Sequence, residues 1–508
     1  MLKLRETTRA TPVRPRAGNR VSVGRSFLVA TLFAGSLLAA AAAEARGAPE
    51  SFADLAEKLL PAVVNISTTQ THEVSGKPGP EMPQLPPGSP FEDFFKEFFD
   101  RNRPEGAPRR ATSLGSGFII DSSGLVVTNN HVIADADEIK VILQDGTRLD
   151  AQVKGRDTKT DLALLQVKSN KPLPTVAWGD SDKVRVGDWV VAIGNPFGLG
   201  GSVTAGILSA RQRDINAGPY DDFLQTDASI NRGNSGGPLF NMNGEVIGIN
   251  TAIISPQGGS VGIGFSIPSS MASAVIGQLK EFGRTKRGWL GVRIQSVDDE
   301  IAESVGLGAP RGALVVNVTE DGPAAKSGIQ ARDIIVTFDG KEVNAMRKLP
   351  RIVAETAVGK TVPVTVWRNG KEMSFKVKLG ELEVAEQTEQ ASATTGPGKG
   401  GAETNKPGTA STLGLTLSTI NGDLRKRLDL TDDTDGVLIT NVANDSAAAE
   451  KGIRPGDVVV EAGQDKVNRP EQIKAKVDEA RKAGRKSLLL LVKRKDDLRF
   501  IALRIDQG

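Results

Sequence analysis

Residues 312–344, GALVVNVTEDGPAAKSGIQARDIIVTFDGKEVN, return at 436–468 as GVLITNVANDSAAAEKGIRPGDVVVEAGQDKVN, at a constant offset of 124 residues. Gly312 falls on Gly436, Gly328 on Gly452, Asp333 on Asp457 and Asn344 on Asn468. A repeat this long fixes the C-terminal half as two copies of one domain of about 95 residues. Two copies are too few to stack as a solenoid, so each is expected to fold around its own core. Between them, residues 383–409 are poor in apolar side chains and rich in Gly, Thr and Glu, and read as a flexible tether. The whole chain, 508 residues, has room for about three or four domains.

The segment before the repeats has another pattern. From 112 to 268, short apolar runs such as GLVVTN, DLALLQV and GEVIGINTAI alternate closely with turn residues. That rhythm predicts an all-β barrel or sandwich, closed by a helix over 269–283. SFADLAEKLLP, 51–61, predicts a short helix capped by Ser51. Residues 71–110 break the pattern with Pro, Gly and charge, yet contain FEDFFKEFFD. Its phenylalanines, 91, 94, 95, 98 and 99, have helical spacing and give one apolar face. That face either packs on its own domain or joins subunits.

Residues 1–26 carry seven bases and one acid, and 27–43 form the uncharged run FLVATLFAGSLLAAAAA, followed by Glu44 and Ala45. A basic region, an apolar run and a small-x-small site predict a secretory signal peptide cleaved near Ala45. An uncleaved inner-membrane anchor facing the periplasm is the alternative. Without residues 1–45 the net charge of +3 becomes −2, so the basicity belongs to the export signal and no nucleic-acid partner is implied. There is no cysteine, which excludes a thiol nucleophile, thiolate metal sites and disulfides. Two histidines, His72 and His131, are too few for a histidine-rich metal site, and no cofactor or metal is expected.

The chemistry gathers around NRGNSGGPL, 231–239. Three glycines and a proline around one serine make neither a good helix nor an ordinary strand. A serine hydroxyl becomes nucleophilic when a base takes its proton, and near neutral pH that base is histidine. His72 lies in the Pro/Gly-rich insert, as an exposed side chain; His131 lies in TNNHVI, directly after a strand. An acid must then hold the imidazole in the right tautomer. Asp161 opens DLALLQV, which reads as a buried strand, and a carboxylate there needs a partner; Asp157 is the other candidate. Backbone N–H groups of Gly233, Asn234 and Ser235 could face a developing oxyanion. Gly236 and Gly237 would leave room for a substrate backbone.

Together TNNHVI, DLALLQV and GNSGGPL, in the order His, Asp, Ser, resemble the HtrA/Deg (protease Do, DegP/DegQ-like) family of periplasmic trypsin-like serine proteases with two PDZ domains. The resemblance covers about 50–508. It implies a mainly β fold: a trypsin-like double six-stranded β-barrel protease domain followed by two α/β PDZ domains. The expected layout is a signal peptide over 1–45, a protease domain over 46–285 with 71–110 as its regulatory insert loop, PDZ domains over 286–382 and 410–508, and the tether over 383–409. It implies His131 as base, Asp161 as its partner and Ser235 as nucleophile. Ile230, Ala252 and Ile253 match the primary specificity pocket and would make it small and apolar, for cleavage after Val, Ala or Ile. In the first PDZ copy Gly288, Trp289, Leu290 and Gly291 match the loop that holds a peptide's terminal carboxylate, with Ile352 and Val353 lining the groove and Pro350 awkward in the flanking helix. TLGLTL, 412–417, stands in the matching place of the second copy, one residue out of step. Some relatives carry a cysteine pair in the long insert; this chain does not. A regulatory arginine is expected near SARQRDINAG, where Arg211 and Arg213 both fit.

The resemblance implies a cofactor-free endopeptidase of the periplasm acting on unfolded or misfolded polypeptides, with PDZ domains recruiting exposed C-termini. It implies a homo-trimer or larger assembly of trimers and transient association with the membrane surface. The rival reading is an ATP-independent holdase chaperone in which proteolysis is secondary.

Overall fold

The computed structural model describes residues 49–72, 109–196, 200–231, 233–255, 259–392, 409–427, 434–495 and 497–505. The export signal and the phenylalanine-rich helix expected from sequence lie outside these residues.

Six antiparallel strands close a first barrel: β1 (Val63–His72), β2 (Arg109–Asp121), β3 (Leu125–Asn129), β4 (Glu138–Ile142), β5 (Arg148–Asp157) and β6 (Leu162–Val167), in the order β1-β2-β3-β6-β5-β4, with β4 back on β1. β3 and β6 are the most apolar runs and are buried almost throughout, as strands covered on both faces must be. A second ring follows: β7 (Ala177–Trp178), β8 (Trp189–Gly194), β9 (Ser202–Arg213), β10 (Phe223–Thr226), β11 (Pro238–Phe240), β12 (Glu245–Ile253) and β13 (Gly264–Pro268). Strands β8 to β13 form a six-membered ring through the β11–β12 pairing, and β7 adds to β12 in parallel from outside. The helix Ser269–Phe282 packs on strands of both barrels and ends at Gly283, whose φ of 70° lets its N–H reach the Leu279 carbonyl at 3.0 Å.

The two PDZ copies share their internal parts. In the first, Arg368 forks onto Asp333 with two 2.6 Å bonds and reaches the Gly328 carbonyl at 2.8 Å. In the second, Arg494 does the same to Asp457 and Gly452 at the same three distances. This explains why Gly and Asp recur at the repeat offset. The first sheet runs Val292–Gln295, Ala313–Val318, Ile334–Phe338, Thr361–Arg368, Lys371–Lys378 in spatial order. The second runs Thr409–Thr412, Leu415–Thr419, Val437–Val442, Val458–Ala462, Ser487–Arg494, Asp497–Arg504. Each copy has its own core, and the outer sheet faces also share a cluster, Leu314, Val316, Ile334 and Val336 against Leu489, Leu491, Phe500 and Ala502.

Two local expectations meet the structure differently. Pro350 sits in the first turn of the helix Lys348–Glu355, where its missing N–H has no intrahelical acceptor to lose. The start of the expected tether is a helix, Leu382–Ser392, rich in the strong helix formers Glu, Gln and Ala. It is held by Glu383 to Thr285 and Arg287, and by Glu386 to Lys159.

Candidate active site

The loop bearing Ser235 lies between β10 and β11 and is stitched to both barrels. From the first, the Ser116 N–H donates to the Ser235 carbonyl at 2.9 Å and its hydroxyl to the Gly233 carbonyl at 2.5 Å. From the second, the Gly236 N–H donates to the Asn250 carbonyl at 2.8 Å, and the Asn250 N–H returns to the Gly237 carbonyl at 2.8 Å. The glycines serve this stitching. Gly236 has φ 84°, and a Cβ there would lie 2.2 Å from the Ser116 carbonyl oxygen. A Cβ on Gly237 would lie 2.6 Å from the Ile193 carbonyl oxygen. Contrary to the sequence expectation, the backbone that needs their space is the protein's own, because both barrels converge on this loop.

His131 sits on a single helical turn, Asn130–Ile133, directly after β3. Its Nδ1 is 2.6 Å from the Asp161 Oδ2, and its backbone N–H donates to Oδ1 at 2.8 Å. Both carboxylate oxygens therefore face one residue, which fixes the ring and its tautomer. Asp161 holds a left-handed φ of 55°. Its carbonyl accepts from the Asn130 N–H at 3.1 Å and the Asn129 Nδ2 at 2.8 Å. Burial presses the His131 pKa down, but the charge and hydrogen bond of Asp161 outweigh it, so the imidazole titrates above its ordinary value. The side chain keeps 34% of its exposure, enough to face a substrate. Asp157 is elsewhere: its carboxylate pairs with Arg287 and grips Thr160.

The Ser235 hydroxyl donates to the Thr251 carbonyl at 3.4 Å and, among the described contacts, makes no bond to His131. Catalytic hydrogen bonds are commonly loose before substrate arrives. Thr251 ties the two halves together, since its hydroxyl accepts from the Asn129 Nδ2 at 3.0 Å. Neither Gly233 nor Ser235 spends its N–H on a described acceptor, whereas the Asn234 N–H is bonded to the Asn231 carbonyl at 3.0 Å. Gly233, at φ 91°, packs against Pro196.

The three pocket candidates lie together on the second barrel. Ile230 is 1% exposed and belongs to the barrel core with Val190, Ala192 and Leu208; Ala252 is buried and Ile253 half-buried. Asp227, the nearby acid, accepts from the Ile207 N–H at 2.7 Å. In the first PDZ copy Gly288–Trp289 pairs with Gly380–Glu381, Leu290 is buried, and Gly291 turns at φ 76°. The N–H groups of Leu290 and Gly291 have no described acceptor. Ile352 and Val353 contribute to the core beneath the groove. Near the regulatory-arginine region, Arg211 bonds the Asp182 carbonyl and Arg213 bonds Gln225. Sequence reasoning missed Ser116, Asn129 and Thr251; the last two stand beside or inside motifs it had singled out, and Ser116 carried no signal. Among the described residues no cluster of His, Cys, Asp or Glu is arranged to hold a metal, and no helix is long and apolar enough to cross a membrane.

A family model described as a trypsin-like peptidase domain matches residues 115–249, and a PDZ-domain model matches 288–379 and 412–505. The chain is similar to a probable periplasmic serine endoprotease DegP-like of Brucella suis biovar 1 (strain 1330), 45% identical over 482 residues and 90% of each chain. It is 44% identical over 470 residues to a protein of the same description from Bartonella henselae, again over 90% of each chain. Among solved structures it is similar to the HtrA-type protease AlgW with decapeptide, at 41% identity and TM-score 0.54, over 65% of this chain and 98% of that one.

Proposed function

The chain belongs to the HtrA-type, DegP-like family of serine endoproteases, and on that premise we propose that Ser235, His131 and Asp161 carry out its peptide hydrolysis. The observation carrying this reading is the two-point grip of Asp161 on His131, across barrels from a serine loop stitched to both. With Nδ1–H held by Asp161, the Nε2 lone pair takes the Ser235 proton as the hydroxyl attacks the scissile carbonyl. The oxyanion is received by the N–H groups of Gly233 and Ser235, which have no described acceptor; Asn234, with its N–H occupied, supports the loop. The imidazolium, stabilised by Asp161, then protonates the leaving amine, and water releases the acyl group by the same route. Ser235→Ala should lower cleavage of unfolded casein by about 10⁶-fold. Retention of parental turnover would refute the assignment, while retained suppression of aggregation would add the holdase activity.

Activity should fall as pH drops through a value above the ordinary histidine pKa of about 6.5, because the base must be neutral and Asp161 raises its pKa. The same pairing contributes stability that is full below about pH 6.5 and lost as pH rises through the raised native value.

An apolar pocket at Ala252 and Ile253, backed by the buried Ile230, favours cleavage after Val, Ala or Ile. Such sites are hidden in folded proteins, so the substrates are unfolded or misfolded polypeptides of the periplasm, where the relatives are placed by description. Export by residues 1–45, a trimer or larger assembly, and transient membrane-surface contact complete the reading; the mass of the purified mature protein tests the assembly.

The first PDZ copy is the proposed receptor for exposed C-termini, by strand addition beside Val292–Gln295. Support for coupling to proteolysis comes from its groove helix, where Arg347 pairs with Asp214 and Arg351 with Asp222, on the loop entering β10. Burial pushes the Asp222 carboxyl up, and Arg351 offsets only part of that rise. A C-terminal peptide should raise turnover of a small substrate; unchanged turnover at saturation counts against coupling.

A further inference from the structure

We propose that Arg287, the residue immediately before the PDZ carboxylate loop, is a positioning residue for the catalytic carboxylate, acting through Asp157 and Thr160. This rests on the assignment of Asp161 to catalysis.

Asp157 ends β5 and Asp161 precedes β6, so residues 158–161 are the turn that delivers the catalytic carboxylate. That turn ends in a left-handed φ at Asp161, a conformation uncommon outside glycine though less so for Asp. Beside the bonds from Asn129, Asn130 and His131 to Asp161 itself, the turn is held by Asp157: its Oδ2 accepts both the Thr160 N–H, at 3.2 Å, and the Thr160 hydroxyl. Asp157 makes this grip from a site where its side chain is 5% exposed. A buried carboxylate without a cation takes up a proton or turns to water.

The cation comes from outside the barrels. Arg287 is 6% exposed and forks onto Asp157, Nη1 to Oδ1 at 3.1 Å and Nη2 to Oδ2. The bases beside Asp157 in sequence are engaged elsewhere, Arg156 with the Ala134 carbonyl and Lys159 with Glu386. Arg287 is itself held on every side. Its Nη1 also reaches the Thr285 hydroxyl at 2.6 Å and Glu383 at 3.1 Å, and its guanidinium lies 5.0 Å from the Tyr220 ring centre. Its N–H donates to Glu383 and its carbonyl accepts from the Leu382 N–H, both at 3.0 Å. The PDZ boundary therefore supplies one piece of the support beneath His131. A simple domain latch would not require a fork aimed at the acid that sets the Asp161 turn.

The test uses the full-length protease and a chromogenic peptide too short to reach a PDZ groove. Arg287→Ala should lower kcat by about 10–100-fold with KM within about two-fold, as expected for a displaced supporting group. The acid limb of the pH–rate profile should move to lower pH, because a loosened Asp161 raises the His131 pKa less. Arg287→Lys, which keeps charge but not the fork, should recover only part of kcat. Thr160→Val leaves the ion pair intact and should reproduce both effects; it decides the matter if Arg287→Ala does not fold. A parental kcat and acid limb in folded Arg287→Ala or in Thr160→Val, even with casein degradation impaired, overturns the proposal. Asp161→Asn separates the two readings. If it keeps parental kcat, the catalytic assignment itself fails; if it is inactive while Thr160→Val is parental, only the role of Arg287 fails.

Discussion

The two PDZ copies are alike inside and different at one edge. Both carry the same Arg–Asp–Gly lock at identical distances. In the first copy, Gly288–Trp289 turns away to pair with Gly380–Glu381, and Val292–Gln295 keeps an outer edge with no described strand on it. In the second, Thr409–Thr412 folds back onto Leu415–Thr419 and fills the corresponding edge beside the helix Pro470–Lys482. The device is a two-residue turn: Leu413 at φ 54° and Gly414 at φ 73° have the positive dihedrals of a type I′ hairpin. Leu290 has no such dihedral, and only Gly291 turns. Repetition preserved the core, where packing tolerates little change. It left the edge free to diverge, and the edge decides whether a foreign strand can add.

Three experiments break or sharpen this contrast, in falling order of expected effect. Asp333→Ala and Asp457→Ala each strip a buried arginine lock, and each should destabilise its own copy by about 3 kcal/mol, less for Asp457 because Arg494 is more exposed than Arg368. Hydrogen exchange of the sheet amides reads each copy separately; equal protection in parent and variants would deny that the lock is a shared structural part. Second, titration calorimetry with an apolar C-terminal peptide should give one site per chain. Leu413→Pro forces φ to about −65° and dismantles the hairpin, which should raise the count to two. Two sites in the parent would mean that the second edge is not closed in solution. Third, the groove helix of the first copy and its cap face the protease through two ion pairs of unequal burial, with Arg351 at 24% exposure and Arg347 at 64%. Arg351→Ala should weaken stimulation by the peptide several-fold, and Arg347→Ala by less than about two-fold, since exposed pairs contribute roughly 0–1 kcal/mol. The reverse order would place the coupling elsewhere.

The chemistry was legible where it depends on neighbours in sequence. TNNHVI places His131 one turn beyond a buried strand, and the repeat offset marks Gly328, Asp333 and their counterparts before any contact is known. The choice of Asp161 over Asp157 rested on the motif DLALLQV, because both precede the same strand and both need a partner. Their partners, His131 and Arg287, come from β3's end and the PDZ boundary. The glycines after Ser235 were read as space for substrate because a sequence does not show which backbone arrives; Ser116 and Ile193 arrive from different barrels. Closure of the second groove hung on the sign of φ at Leu413, a residue type that gives no warning of it.

By itself the sequence determined the strand rhythm, the repeat, the residue types able to perform acyl transfer and their order, because periodicity and turn chemistry act over a few residues. The tertiary structure decided how Asp161 meets His131, that Ser235 rests on Thr251, and how the two PDZ edges differ. Those outcomes depend on burial and hydrogen-bond geometry between groups distant in the chain, and such pairings acquire their energy only once the barrels and domains have packed.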